Sequence, residues 1–76
     1  MTIEEKVKRI MRKILGVDVS IYDTFDDLYI NSIDLADIID ECEYEFCYTI
    51  TDDKIQSLET VQDLVNLITN LNKIYD

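Results

Sequence analysis

The chain has no histidine, no proline, no tryptophan and a single glycine. Without histidine it lacks the side chain that ordinarily titrates near neutral pH, so common acid–base and metal-ligand chemistry has no support. Without proline, and with one glycine, it has neither the turn residues of a strand-rich fold nor a glycine-rich phosphate loop. Positive charge is scarce too: seven Lys and Arg against seventeen Asp and Glu give a net charge of −10. That balance argues against nucleic acid or an anionic membrane as a partner and favours basic proteins. No apolar run exceeds three residues, far short of a bilayer span or a signal-peptide core, so no membrane insertion is expected. The cysteines are only two, Cys42 and Cys47. On one helix their Cα atoms would sit about 8–9 Å apart, too far for an unstrained disulfide. We read both as reduced thiols of a cytoplasmic protein with no metal site.

What the sequence does have is apolar content: 47% of 76 residues, enough for one thin core. No linker or repeat interrupts it, so a single domain over residues 1–76 is expected. Thr2 and Glu5 have capping-box spacing, and Ile3, Val7, Ile10, Met11, Ile14 and Leu15 follow at helical intervals up to a terminating Gly16. Residues 17–31 show no long period but carry Val17, Val19, Ile21, Phe25 and Leu28, which predicts a packed connection. A second helix starts near Asn31 or Ser32 and runs to about Phe46. At 100° per residue, Leu35, Ile38, Ile39, Cys42 and Phe46 form its core arc. Asp37 and Asp40 then lie opposite, Asp34, Glu41 and Glu43 flank the arc, and Ile33, Ala36 and Tyr44 fall off it. Thr51 or Asp52 caps a short third helix ending near Ser57. Thr60 and Asp63 repeat the cap spacing before a last helix carrying Val61, Leu64, Val65, Ile68 and Leu71. The expected fold is all-α, a small four-helix bundle with three main helices and one short one.

No residue combination makes a convincing catalytic site, since two thiols without histidine lack an activating base. Ser32 is the residue that stands out, at the head of the acidic second helix. It is either a plain cap or an attachment point for a phosphate-bearing group, which the free N–H groups and dipole of a helix start would tolerate.

The chain as a whole resembles the acyl carrier proteins. TIEEKVKRIMRKILGV is similar to their first helix, DDLYINSIDLADIIDECEYEF to the segment around their D-S-L attachment motif, and ITDDKIQSLETVQDLVNLI to their third and fourth helices. The resemblance implies that Ser32 carries 4′-phosphopantetheine, whose thiol holds acyl groups as thioesters for partner enzymes in fatty-acid or specialised acyl biosynthesis. It places Asp34, Asp37 and Glu43 on acids that face partners, Ile33 on an exposed apolar contact and Ala36 on a small apolar contact. Glu41 joins this surface from the helical wheel. The implied partners are a phosphopantetheinyl transferase and acyl-transfer or synthase enzymes with basic docking patches, met by a monomer. Ile39 and Cys42 are candidates to line a shelter for a short acyl chain. The sequence departs from the family pattern at Asn31 (usually Asp), Ile33 (usually Leu), Tyr29 and Ile30 (usually small), Asp40 and Tyr44. A carrier for aminoacyl or polyketide units, and an unmodified carrier-like interaction module, remain alternatives on the residues alone.

Overall fold

A computed structural model describes residues 1–75; Asp76, the last residue of the expected domain, lies outside the described residues. Four helices follow in order: α1 (Ile3–Leu15), α2 (Ser32–Phe46), α3 (Asp52–Gln56) and α4 (Val61–Tyr75). α1 packs against both α2 and α4.

The helix ends are those the side chains dictate. The Thr2 hydroxyl accepts the Glu5 N–H at 3.1 Å, and the Glu5 carboxylate accepts the Thr2 N–H at 3.2 Å. These bonds satisfy two amides that a helix start leaves without intrahelical acceptors. At the other end Gly16 has φ 76°, a conformation costly for any residue with a Cβ. α4 repeats the reciprocal cap with an aspartate: Thr60 Oγ1 accepts the Asp63 N–H, and Asp63 Oδ2 accepts the N–H groups of Thr60 and Glu59. α3 starts after Thr51, whose side chain makes no capping bond to the backbone.

The core is one cluster. α1 supplies Val7, Ile10 and Met11; α2 supplies Ile38, Ile39 and Cys42; α4 supplies Val61, Leu64, Val65, Ile68 and Leu71. Val19 and Phe25 join from the first connection and Ile50 from the second, so both connections are packed. Leu35 and Phe46, expected in the core, are half-buried at its edge, where the Lys6 ammonium lies 5.8 Å from the Phe46 ring centroid. Val17, counted among the connection's packed residues, is exposed instead.

Both cysteines are free, with Cys42 buried and Cys47 exposed at the left-handed C-cap of α2. Burial pushes the Cys42 thiol up to about 12, and the nearby charges of Glu41, Glu43 and Glu45 add to it. The native value lies above that of the unfolded chain, so the protonated thiol favours folding below pH 9, and this contribution is lost as pH rises towards 12. A thiol reagent at pH 8 should therefore label one cysteine per native chain, Cys47, and reach Cys42 only in denaturant. Equal labelling of both in the native protein would contradict this packing.

Candidate functional site

The site is built by the connection between α1 and α2. Its middle is tied to the start of α4 by backbone bonds: Phe25 N–H to the Glu59 carbonyl at 2.8 Å, Val61 N–H to Asp23 at 3.0 Å and Gln62 N–H to Ile21 at 3.0 Å. Thr24 and Thr60 form an antiparallel bridge between the two segments. The connection then turns on itself, with Leu28 N–H donating to the Thr24 carbonyl, Tyr29 N–H to Asp26 and Ile30 N–H to Phe25. The residues entering α2 are thus held by a hydrogen-bonded turn over a buried phenylalanine.

At the helix head the two cap candidates are resolved. Asn31 is the N-cap, and its side-chain oxygen accepts the Asp34 N–H at 2.7 Å. Ser32 is the first helical residue and is exposed, so its hydroxyl is not needed for the cap. Helix geometry leaves the Ser32 and Ile33 amides without intrahelical acceptors, which favours an anionic group beside them. An exposed hydroxyl at a helix start, with the cap assigned to its neighbour, fits the attachment of a phosphodiester.

Ser32 opens onto a groove of about 360 Å³ lined by Leu35, Ala36 and Ile39 of α2 and by Ile50 and Ile55, with Asp40, Glu43 and Asp52 adding carboxylates. Ile39 lines it as expected. Cys42 does not: it lies in the core, 1% exposed. The Glu43 carboxylate accepts the Ile50 N–H at 2.7 Å and so ties α2 to the segment leading into α3.

Of the candidate docking residues, Ile33 is 74% exposed, Ala36 and Asp37 are exposed, and Asp34 is half-buried beside the cap. Glu41 is half-buried and meets Lys13 of α1 at 3.4 Å. Ile33, Asp37, Asp40 and Tyr44 fall within one arc at 100° per residue, and Tyr44 is exposed. Asp52, read from sequence only as a possible cap of the third helix, and Ile50 and Ile55 also line the groove; they reach Ser32 through a chain reversal that no local period announces. Among the described residues, no group of three or more acids and thiols gathers to hold a metal ion, and no helix is long and apolar enough to cross a membrane.

Comparison with known proteins agrees with this geometry. Residues 5–68 match the family described as the phosphopantetheine attachment site. An acyl carrier protein of Buchnera aphidicola subsp. Schizaphis graminum is 36% identical over 75 residues, which is 93% of this chain and 95% of that protein. Another, from Solidesulfovibrio magneticus, is 38% identical over 72 residues, covering 90% and 92% of the two chains. The crystal structure of an acyl carrier protein from Thermotoga maritima superposes with a TM-score of 0.82 at 29% identity, over 95% of this chain and 88% of that one. The exposed serine at the head of an acidic helix, the four-helix arrangement and these relatives lead to one conclusion: the chain belongs to the acyl carrier protein family, which is built around a phosphopantetheine attachment site.

Proposed function

We propose that Ser32 is the attachment residue and that the chain is a carrier rather than an enzyme, a monomer that works in the cytoplasm. The observation that carries this reading is the division of labour at the head of α2: Asn31 caps the helix and leaves the Ser32 hydroxyl exposed. Bound there, 4′-phosphopantetheine supplies a terminal thiol that holds acyl groups as thioesters. The chain's own residues supply the rest. The first turn of α2 offers amide N–H groups and positive dipole potential to the phosphodiester. The apolar floor of the groove, from Leu35, Ile39, Ile50 and Ile55, offers cover to a short acyl chain starting from that end. The test is incubation of the purified chain with coenzyme A and a broad-specificity phosphopantetheinyl transferase. Intact mass should rise by one phosphopantetheinyl group, carried on the peptide containing Ser32. No adduct with several transferases, or an adduct on another residue, overturns the assignment.

The outward face of α2 is the docking surface of this reading, with Ile33 and Ala36 as apolar contacts, Asp37 at its centre and Asp34 and Glu41 at its sides. Glu43 contributes at the groove edge, where it also holds Ile50. Acyl-transfer and synthase enzymes, like the transferase, would bring a basic patch with a small apolar centre. Asp37→Lys should then lower kcat/KM for transferase loading roughly threefold to tenfold, the scale of one exposed charge contact reversed. Added salt should narrow the gap between the two forms. Loading indifferent to both the reversal and salt would place docking on another face.

A further inference from the structure

Tyr29 has a backbone φ of 54° without being glycine, and the residue is 89% exposed. A left-handed conformation carries a free-energy cost for an L-residue that glycine avoids. Such a conformation persists where its surroundings impose it. They do so here: the Tyr29 N–H is bonded to Asp26 at 3.1 Å, between the Leu28–Thr24 and Ile30–Phe25 bonds. With Phe25 buried and Ile30 half-buried, the turn is anchored on the core, and the direction of the Tyr29 side chain is set by it. The turn accounts for the backbone but not for the ring. Among the described residues no hydrogen bond or ring contact holds that side chain, and its exposure leaves almost no burial to offset the strain. Cys47, the other non-glycine residue with positive φ among the described residues, differs because it terminates α2. Tyr29 is also close in the chain to the proposed chemistry. Three residues of chain keep its Cα within about 11 Å of that of Ser32. The exposed Ile33 follows Ser32 directly, so the serine lies between two large exposed apolar residues in the chain.

We propose that Tyr29 is a specificity-determining residue for loading: a transferase acting on Ser32 must house the Tyr29 ring in an apolar recess, and transferases without that recess are excluded. This rests on Ser32 being the attachment residue. In the transfer the Ser32 Oγ–H proton passes to a base of the enzyme, an Oγ–P bond forms, and the P–O bond to the nucleotide half of coenzyme A breaks. The enzyme therefore brings its donor phosphate to bonding distance of Oγ and meets a ring whose backbone cannot swing aside. With a recess it gains apolar burial; without one it meets a steric obstacle, and selectivity is the difference between the two.

The test measures loading from coenzyme A by two transferases, one of broad selectivity and one restricted to fatty-acid carriers. The substrates are the wild-type chain and its Tyr29→Gly, Tyr29→Ala and Tyr29→Phe variants. With the restricted enzyme, kcat/KM should rise at least about fivefold for Gly and Ala and stay within about twofold of wild type for Phe. With the broad enzyme, every variant should stay within about twofold. Alanine keeps the left-handed strain and glycine relieves it, so only Tyr29→Gly should melt higher, by about 4 °C. No gain with the restricted enzyme, an equal gain with both enzymes, or a gain for Gly but not Ala overturns the proposal. If neither enzyme loads the wild-type chain or any variant, the Ser32 assignment itself falls, a result distinct from loading that proceeds without selectivity.

Discussion

Ser32→Ala should abolish phosphopantetheine loading entirely and leave the fold almost untouched. The hydroxyl oxygen is the bonding atom in the proposed attachment, so no partial activity is expected. The stability side follows from the cap geometry. The Asp34 N–H is satisfied by Asn31, not by Ser32, and the Ser32 residue is exposed. Alanine is also the best helix former, so the change should stay within about 0.5 kcal/mol. Asn31→Ala is the informative contrast. It removes the actual cap and should cost about 1 kcal/mol while retaining the hydroxyl. For a domain of this size that is a melting shift of about 4–8 °C. Intact-mass spectrometry after loading and thermal melting by circular dichroism read the two effects separately. An adduct on Ser32→Ala, or a melting loss larger than that of Asn31→Ala, would contradict the arrangement at the head of α2.

The largest stability effect should come from Ile38→Ala. Ile38 is fully buried on the inward face of α2. Removing a buried isoleucine to the β-carbon typically costs about 2–5 kcal/mol, part lost transfer energy and part residual cavity. A domain of this length has only about 4–11 kcal/mol to lose. The variant should melt at least about 10 °C lower. Ile33→Ala, five positions earlier on the same helix, should change stability by less than about 0.5 kcal/mol, because Ile33 is 74% exposed. Urea denaturation of the two variants tests the burial pattern directly, and similar midpoints would refute it.

The helices were legible because their signals are local. Thr2 with Glu5, and Thr60 with Asp63, announce caps through a three-residue spacing, and both reciprocal bonds are present. The α2 wheel separated Ile38, Ile39 and Cys42 from Ile33, Ala36 and Tyr44, and burial follows that division. Other features depend on geometry that spacing does not encode. Asn31 and Ser32 are equally good cap residues by type, and only backbone position decides between them. The edge placement of Leu35 and Phe46 depends on tertiary packing, which a helical wheel does not show. The bonds from residues 21–25 to residues 59–62 join segments some forty positions apart with no matching pattern in either. Glu43 reads as one more surface acid, yet its carboxylate holds the Ile50 amide. A positive φ at Tyr29 was illegible for the same reason: nothing in the residue type suggests it, and the turn that imposes it is closed by bonds to residues before it.

The Thr24–Thr60 pairing closes the neck of a loop. Inside that loop, residues 24–60, lie Tyr29, Ser32, all of α2, all of α3 and every residue lining the groove. Outside it lie α1 and α4. The two ends of the loop are held side by side, with the Phe25 amide 2.8 Å from the Glu59 carbonyl. A segment whose ends already meet can be cut out and replaced with little rearrangement of what remains. Beyond its neck the loop is attached through the buried Phe25, Ile38, Ile39, Cys42 and Ile50 and through the Tyr48 hydroxyl, which donates to Asn72 Oδ1 of α4 at 2.6 Å, so a transplant must keep these or residues of matching shape. The candidate site thus occupies one continuous stretch of a short chain, closed at its neck. A graft of residues 24–60 onto the two outer helices of a relative would carry Ser32, the outward face of α2 and the groove as a single cassette.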